Sequence, residues 1–112
     1  MTKIKKGQER AGGGLTGYIM VSYDTLKKLF GCADYGGDGK VFNEWFLELD
    51  GERFSIYDYN FDASRFSGLC MMHIGGDKPI SDSLMAELRK IGDTCHERDW
   101  RAMYDKYFKK GA

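Results

Sequence analysis

The sequence of 112 residues predicts an α+β domain in which an antiparallel sheet of about four strands carries three helices on one face. Two observations lead to this class. A hairpin pattern surrounds Asp50-Gly51, and helix-capping residues precede apolar segments at Ser22, Ser81 and Thr94. With 42% hydrophobic residues the chain can form one packed core, whereas two cores would each be very small. We therefore expect a single domain.

The N-terminal part predicts an arm, a strand and a helix. Residues 1–14 are basic and then glycine-rich, which predicts a flexible arm preceding a domain of residues 15–112. Residues 15–21 are β-branched and aromatic enough for a first strand. Ser22 then caps a short helix that ends at Gly31, with Leu26, Leu29 and Phe30 on its apolar face.

The hairpin is the clearest structural signal in the chain. Asp50-Gly51 favours a two-residue type I′ turn, which places Leu49 opposite Glu52 and Trp45 opposite Ile56. One face of the hairpin is then apolar and is predicted to lie in the core. Its residues are Val41, Trp45, Leu47, Leu49, Phe54 and Ile56.

The opposite face of the hairpin mixes aromatic and charged side chains, and Glu48 is expected opposite Arg53. Its residues are Phe42, Glu44, Phe46, Glu48, Arg53, Tyr57 and Tyr59. Four aromatics among charges are too many for a solvated surface and too polar for a second core. We expect either partial cover by the arm or a helix, or a surface that contacts a partner or a second copy of the chain.

The C-terminal half predicts one more strand and two helices. Residues 68–74 form the strand, which ends at Gly75-Gly76. Cys70 and His73 lie on opposite faces of this strand, which argues against a nucleophile–base pair. Ser81 caps a helix ending at Gly92. Thr94 and Glu97 form a capping box for the last helix, where Trp100, Met103, Tyr104, Tyr107 and Phe108 repeat at helical spacing.

Charge and cysteine content narrow the class of protein. The 17 basic and 17 acidic residues cancel, although residues 1–21 carry +3, residues 22–62 carry −5 and residues 63–112 carry +2. Three widely spaced cysteines favour a reduced, cytoplasmic chain, and no apolar run is long enough to span a membrane. The spacing of Cys and His predicts no zinc site, and we expect neither a metal nor a cofactor.

Two ligand hypotheses remain open beside a structural role for the His73 strand. Amides at Gly75 and Gly76 could bind an anion beside His73, and Lys3, Lys5, Lys6 and Arg10 could contact a nucleic acid or nucleotide. A small enzyme that uses His73 is the third and weakest hypothesis. No Ser/His/Asp set or spaced carboxylate pair supports catalysis.

The sequence also resembles a group of small phage-encoded proteins of largely uncharacterised function. The resemblance spans residues 17–76. It lies in a Tyr-Asp-x-Leu helix ending in Phe-Gly, a Glu-Trp strand, an Ile-Tyr-Asp-Tyr strand and a His-Ile-Gly-Gly end. Met72 departs from the pattern, which has Trp before the histidine, and the segment between the last two strands is short here.

The resemblance implies a phage context and no catalytic residue. Small phage accessory proteins often act by binding host machinery, including defence systems such as CRISPR effectors. We therefore expect a non-enzymatic protein of the host cell cytoplasm that binds and modulates a host protein through the mixed face of the hairpin. Binding of a nucleotide or nucleic acid is the alternative.

Overall fold

The computed structural model describes residues 2–109, which form one six-stranded antiparallel sheet with three helices. The strands are β1 (Lys5–Lys6), β2 (Gly14–Ser22), β3 (Glu44–Leu49), β4 (Glu52–Tyr57), β5 (Leu69–Gly76) and β6 (Asp93–His96). The helices are α1 (Tyr23–Phe30), α2 (Asp82–Leu88) and α3 (Trp100–Phe108). The strand order is β1-β3-β4-β5-β2-β6. The α+β class and the three helices are confirmed, whereas the sheet has six strands instead of about four.

The hairpin has the predicted register. Asp50 and Gly51 adopt φ values of 49° and 84°, as a type I′ turn requires. Leu49 lies opposite Glu52, Trp45 opposite Ile56 and Glu48 opposite Arg53. Val41 and Phe42 lie in the loop before β3, because that strand begins only at Glu44.

The main core lies between one face of the sheet and the helices α1 and α2. Trp45, Ile56, Met72 and Ile74 are fully buried there. Both helices begin as predicted, at the side chains of Ser22 and Ser81, which accept hydrogen bonds from Thr25 N and Leu84 N. From the helices the core includes Leu26, Phe30, Leu84, Met85 and Leu88. Leu29 was expected on the apolar face of α1 but is 42% exposed.

Helix α3 lies on the other face of the sheet, so the expectation of helices on one face is wrong. Met103 contacts Cys95, with Sδ and Sγ 3.9 Å apart, and Asp93 accepts hydrogen bonds from Lys106 and Tyr107 at 2.9 Å each. The predicted capping box at Thr94 is also wrong. Thr94 belongs to β6 and donates its hydroxyl proton to the carbonyl of Gly92, while α3 starts at Trp100 after a 3₁₀ turn.

The N-terminal segment is an edge of the sheet and does not match the expected flexible arm. Lys5 and Lys6 pair with Glu48 and Leu47 of β3, and Ile4 is buried in the core. The carboxylate of Glu87 on α2 accepts hydrogen bonds from the side chain of Lys90, the amide of Lys3 and the hydroxyl of Thr2. These contacts hold the pKa of Glu87 at about 2.

A buried carboxylate joins the two loops at the end of the hairpin. Asp58 is fully buried immediately after β4. Its Oδ1 accepts from the amides of Phe42 at 2.7 Å and Asn43 at 2.8 Å, and its Oδ2 accepts from Asn43 Nδ2 at 2.8 Å and the Ala63 amide at 3.0 Å. Asp58 therefore links the loop before β3 to the loop before β5.

None of the helices within residues 2–109 combines the length and the apolar character that a membrane span requires.

Replacing Asp58 by Ala is expected to destabilise the fold by about 3 kcal/mol or more, because four donors would lose their acceptor in the interior. The measurement is the free energy of unfolding in urea. Asp77→Ala removes an exposed carboxylate and is the control, with an expected change within about 0.5 kcal/mol. A loss below about 1 kcal/mol for Asp58→Ala would show that the loops hold together without this carboxylate.

Candidate binding site on the outer face of the sheet

His73 stands at the centre of an aromatic cluster on the sheet face opposite the main core. Its ring lies 5.0 Å from Tyr18 in an edge-on contact, 5.3 Å from Tyr57 in a tilted contact and 5.3 Å from Tyr59 in a stacked contact. Tyr18 and Tyr57 flank His73 because both are paired with it across the neighbouring strands. We call Tyr18, Tyr57, Tyr59 and His73 the His73 cluster.

His73, Tyr18 and Tyr57 of the His73 cluster are uncharged at pH 7. Burial lowers the pKa of His73 and raises the pKa values of Tyr18 and Tyr57, because each charged form would be poorly solvated. Cys70 lies on the core side of β5, where burial raises the pKa of its thiol. The strand thus supplies no activated nucleophile beside the imidazole. The cluster offers aromatic surface and polar ring atoms, which suit binding.

Gly75 and Gly76 are part of β5 and not of a loop. Gly75 pairs with Ser55 on one side and Leu15 on the other, and Gly76 pairs with Gly14. A Cβ atom at Gly75 would lie 3.0 Å from Cε1 of Tyr57 and 3.3 Å from Oγ of Ser55. Gly75 therefore leaves room for the tyrosine beside His73, and the expected anion-binding loop is replaced by a strand.

The N-terminal segment partly covers the mixed face of the hairpin. Arg10 donates to the carboxylate of Glu44, with Nη2 and Oε1 2.9 Å apart, and Glu44 is only 5% exposed. The guanidinium carbon of Arg10 also lies 4.2 Å from the ring centre of Tyr35 and 5.7 Å from that of Phe46. Arg53 donates to Glu9 at 2.6 Å. The N-terminal segment thus covers the half of this face near β3, which was one of the two expectations.

The basic residues proposed for nucleic-acid contact are distributed over several local contacts. Lys6 forms an ion pair with Asp34, and Arg10 pairs with Glu44. Lys5 lies opposite Glu48 across the strand pair, and Lys3 contributes its backbone amide to Glu87. Two of these four positive charges, those of Lys6 and Arg10, are thus balanced by acidic neighbours.

The uncovered part of the face is aromatic. Phe42 and Tyr59 are 38% and 37% exposed at the end where Asp58 fastens the two loops, and Tyr35 is 37% exposed beside them. A cleft of about 250 Å³ opens between the glycine-rich segment and the sheet. Its lining includes Arg10, Asp38, Glu44, Ser55, Tyr57 and Tyr59.

Sequence reasoning missed several residues of this region. Tyr35, Asp38 and Ser55 were not predicted to take part, and Asp58 and Asn43 were not recognised as the residues that hold the loops. One signal was available for Asp58, since a carboxylate between two tyrosines at the end of a strand requires donors if it is buried.

A second exposed apolar patch lies between α3 and the start of β5. Phe66, Leu69, Tyr104 and Phe108 are each 45–58% exposed around a groove of about 370 Å³. Of the residues at helical spacing in α3, Met103 alone is buried. In residues 2–109, no three or more His, Cys, Asp and Glu side chains are grouped so that they could hold a metal ion.

His73→Phe is expected to reduce the acid sensitivity of the fold. The pKa of His73 lies below its ordinary value of 6.5 in the folded chain, so the unfolded chain binds the proton first and stability falls as the pH drops below about 6.5. Urea unfolding between about pH 7.5 and 5.5 should show this loss in the wild type and a smaller one in the variant. His96→Gln, which changes the other histidine, should lose stability at low pH to the same extent as the wild type. Equal pH dependence in His73→Phe and the wild type would contradict a neutral, buried His73.

Comparison with protein-family models, with curated proteins and with solved structures finds no match to this chain.

Proposed function

We propose that this protein is a non-enzymatic accessory protein of the phage type that it resembles, and that it binds and modulates a host macromolecule. A protein component of a host defence system is the class of target to test first. The observation that carries the proposal is the exposure of Phe42 and Tyr59 on loops that the buried Asp58 fastens together. Rigid, exposed aromatic side chains contribute strongly to protein interfaces because they lose little conformational entropy on binding.

Binding is favoured over catalysis by the chemistry of the His73 cluster. Its imidazole and the phenols of Tyr18 and Tyr57 are neutral at pH 7, and the one thiol of the same strand faces the core. A general base or nucleophile would need a partner that raises its reactivity. The hypothesis of a small enzyme using His73 is therefore less favoured than a binding role.

A protein partner is favoured over a nucleic acid by the charges around the site. Lys6 and Arg10 are already paired with Asp34 and Glu44. A surface that binds phosphates needs cations that are available to them. The exposed surface beside these pairs includes the aromatic side chains of Tyr35, Phe42 and Tyr59, which suit the central part of a protein–protein interface.

Phe42→Ala and Tyr59→Ala are expected to weaken binding of the partner by about tenfold or more each, because they remove exposed aromatic contact area. Both variants should fold with near wild-type stability, since more than a third of each side chain is exposed. Tagged protein would capture the partner from host lysate, with and without nuclease, and the purified partner would then be titrated calorimetrically.

Leu29→Ala is the matched control, because Leu29 is 42% exposed on α1 at a different part of the surface. Unchanged affinity in both aromatic variants would contradict the proposed contact surface. A partner that is lost on nuclease treatment would identify a nucleic-acid binder instead. Elution as a dimer that Tyr59→Ala converts to a monomer would mean that the face contacts a second copy of the chain.

A further inference from the structure

Helix α3 carries a row of exposed aromatic side chains. The helix packs onto the sheet through Met103, which is buried, and through Tyr107, whose hydroxyl donates to a carboxylate of β6. Trp100, Tyr104 and Phe108 repeat every four residues and are 39%, 45% and 45% exposed. Their ring centres lie 6.2 Å and 5.2 Å apart along the helix, so the three rings form a continuous row. We call these three residues the α3 row.

The groove beside the α3 row extends this apolar surface to the start of β5. Its volume is about 370 Å³, and Phe66 and Leu69 line it together with the last two residues of the row. Phe66 and Leu69 are the most exposed large apolar side chains of residues 2–109, at 54% and 58%. Phe66 also makes an edge-on contact with Phe61, with ring centres 5.9 Å apart. We call the α3 row with Phe66 and Leu69 the α3 patch.

The area of the α3 patch matches what one side of a homodimer needs. An aromatic side chain has about 150–250 Å² of surface to bury, so the four aromatic residues at their observed exposures, with Leu69, present on the order of 500 Å². A standard interface buries about 800 Å² per partner, and about 65% of a homodimer interface is apolar, which is again roughly 500 Å². A second copy of the chain would therefore cover the patch in an interface of standard size.

The α3 row is complementary to itself about its middle residue. If two α3 helices pack antiparallel with Tyr104 at a two-fold axis, Tyr104 meets its counterpart and Trp100 meets Phe108 of the second copy. The same arrangement brings Lys109 towards Asp99 of the second copy, because these two exposed residues flank the helix at its opposite ends. A parallel arrangement would place like charges side by side, which is unfavourable.

The charges around α3 favour a second copy over a lipid surface. Residues 97–109 contain three acidic and four basic side chains, and Lys106 is already paired with Asp93. The guanidinium carbon of Arg101 lies 4.6 Å from the ring centre of Trp100. Binding to anionic lipid requires a marked excess of available cations, which this helix does not present. The whole chain has 17 basic and 17 acidic residues, so two copies do not repel each other through net charge.

We propose that the α3 patch is a homodimer interface in which two α3 helices pack antiparallel about a two-fold axis at Tyr104. The inference does not rest on the proposed function, because the contact surface for a host partner consists of other residues, Phe42 and Tyr59. A dimer would carry two copies of that contact surface, so a target with two accessible sites would be bound more tightly than by one chain alone.

The first test is sedimentation equilibrium of the full chain between about 5 and 500 μM. We expect a particle of twice the chain mass of 12.8 kDa at the upper concentrations. Tyr104→Glu, and independently Leu69→Glu, should weaken dimerisation at least about tenfold, because each places a charge within the apolar interface. Both side chains are exposed in the single chain, so the variants should retain the wild-type circular dichroism spectrum and melting temperature.

The second test is specific for the two-fold arrangement. Tyr104→Cys in a Cys32→Ser background should form a disulfide-linked dimer on oxidation, because identical residues at a two-fold axis lie side by side. Leu29→Cys in the same background is the matched control, since Leu29 is 42% exposed on α1, and it should remain unlinked.

A chain that stays monomeric over the whole concentration range would overturn the proposal. A dimer that persists in both glutamate variants, or that Tyr59→Ala dissociates, would do so as well, because the interface would then lie elsewhere. Equal cross-linking of the Tyr104→Cys and Leu29→Cys proteins would contradict the two-fold arrangement. A monomer that sediments with vesicles of phosphatidylcholine and phosphatidylserine, and loses this binding in Tyr104→Glu, would assign the patch to a lipid surface instead.

Discussion

The carboxylate of Asp58 is the constraint on which the outer face of this protein depends. It is completely buried at the end of β4 and accepts four hydrogen bonds from two different loops. A polar side chain can remain buried only when such donors replace its hydration. The loops that carry Phe42 and Tyr59 are therefore fixed relative to the sheet, and the ring of Tyr59 also stacks on His73.

A second set of contacts gives this face its shape. The N-terminal segment pairs with β3, and Arg10 inserts between Glu44 and the ring of Tyr35. The half of the hairpin near β3 is thereby covered, while the half near β5 is left as a narrow cleft beside His73. Gly75 makes this arrangement possible, because any side chain there would press against Tyr57 and Ser55. The covered half, the cleft and the exposed aromatic side chains together define the shape of this face.

The features that the sequence predicted correctly are those determined by local interactions. Asp50-Gly51 sets the hairpin register because a type I′ turn permits only one pairing, and Ser22 and Ser81 cap their helices with their own side chains. The missed features depend on contacts far along the chain. Residues 5–6 are two lysines with no strand signal of their own, and they become β1 only because the edge of β3 accepts them.

The same reasoning explains the wrong start of α3 and the incomplete description of the site. Thr94 has the spacing of a capping box with Glu97, but pairing with Ile19 of β2 draws it into β6. For the site, the sequence predicted the mixed face of the hairpin. That Arg10 covers part of this face, and that Ser55 and Asp38 lie beside it, depends on contacts between segments far apart in the chain. A glycine-rich segment gives no local signal of where its backbone lies.

The most direct test of this account is residue-resolved amide hydrogen exchange by NMR at the amides of Phe42, Asn43 and Ala63. If Asp58 holds both loops, these three amides exchange only when the protein unfolds globally, at rates close to those of buried strand amides such as Ile56. Exchange as fast as that of the exposed loop residue Gly68 would contradict the account, because the loops would then open without unfolding and the aromatic face would not be preformed.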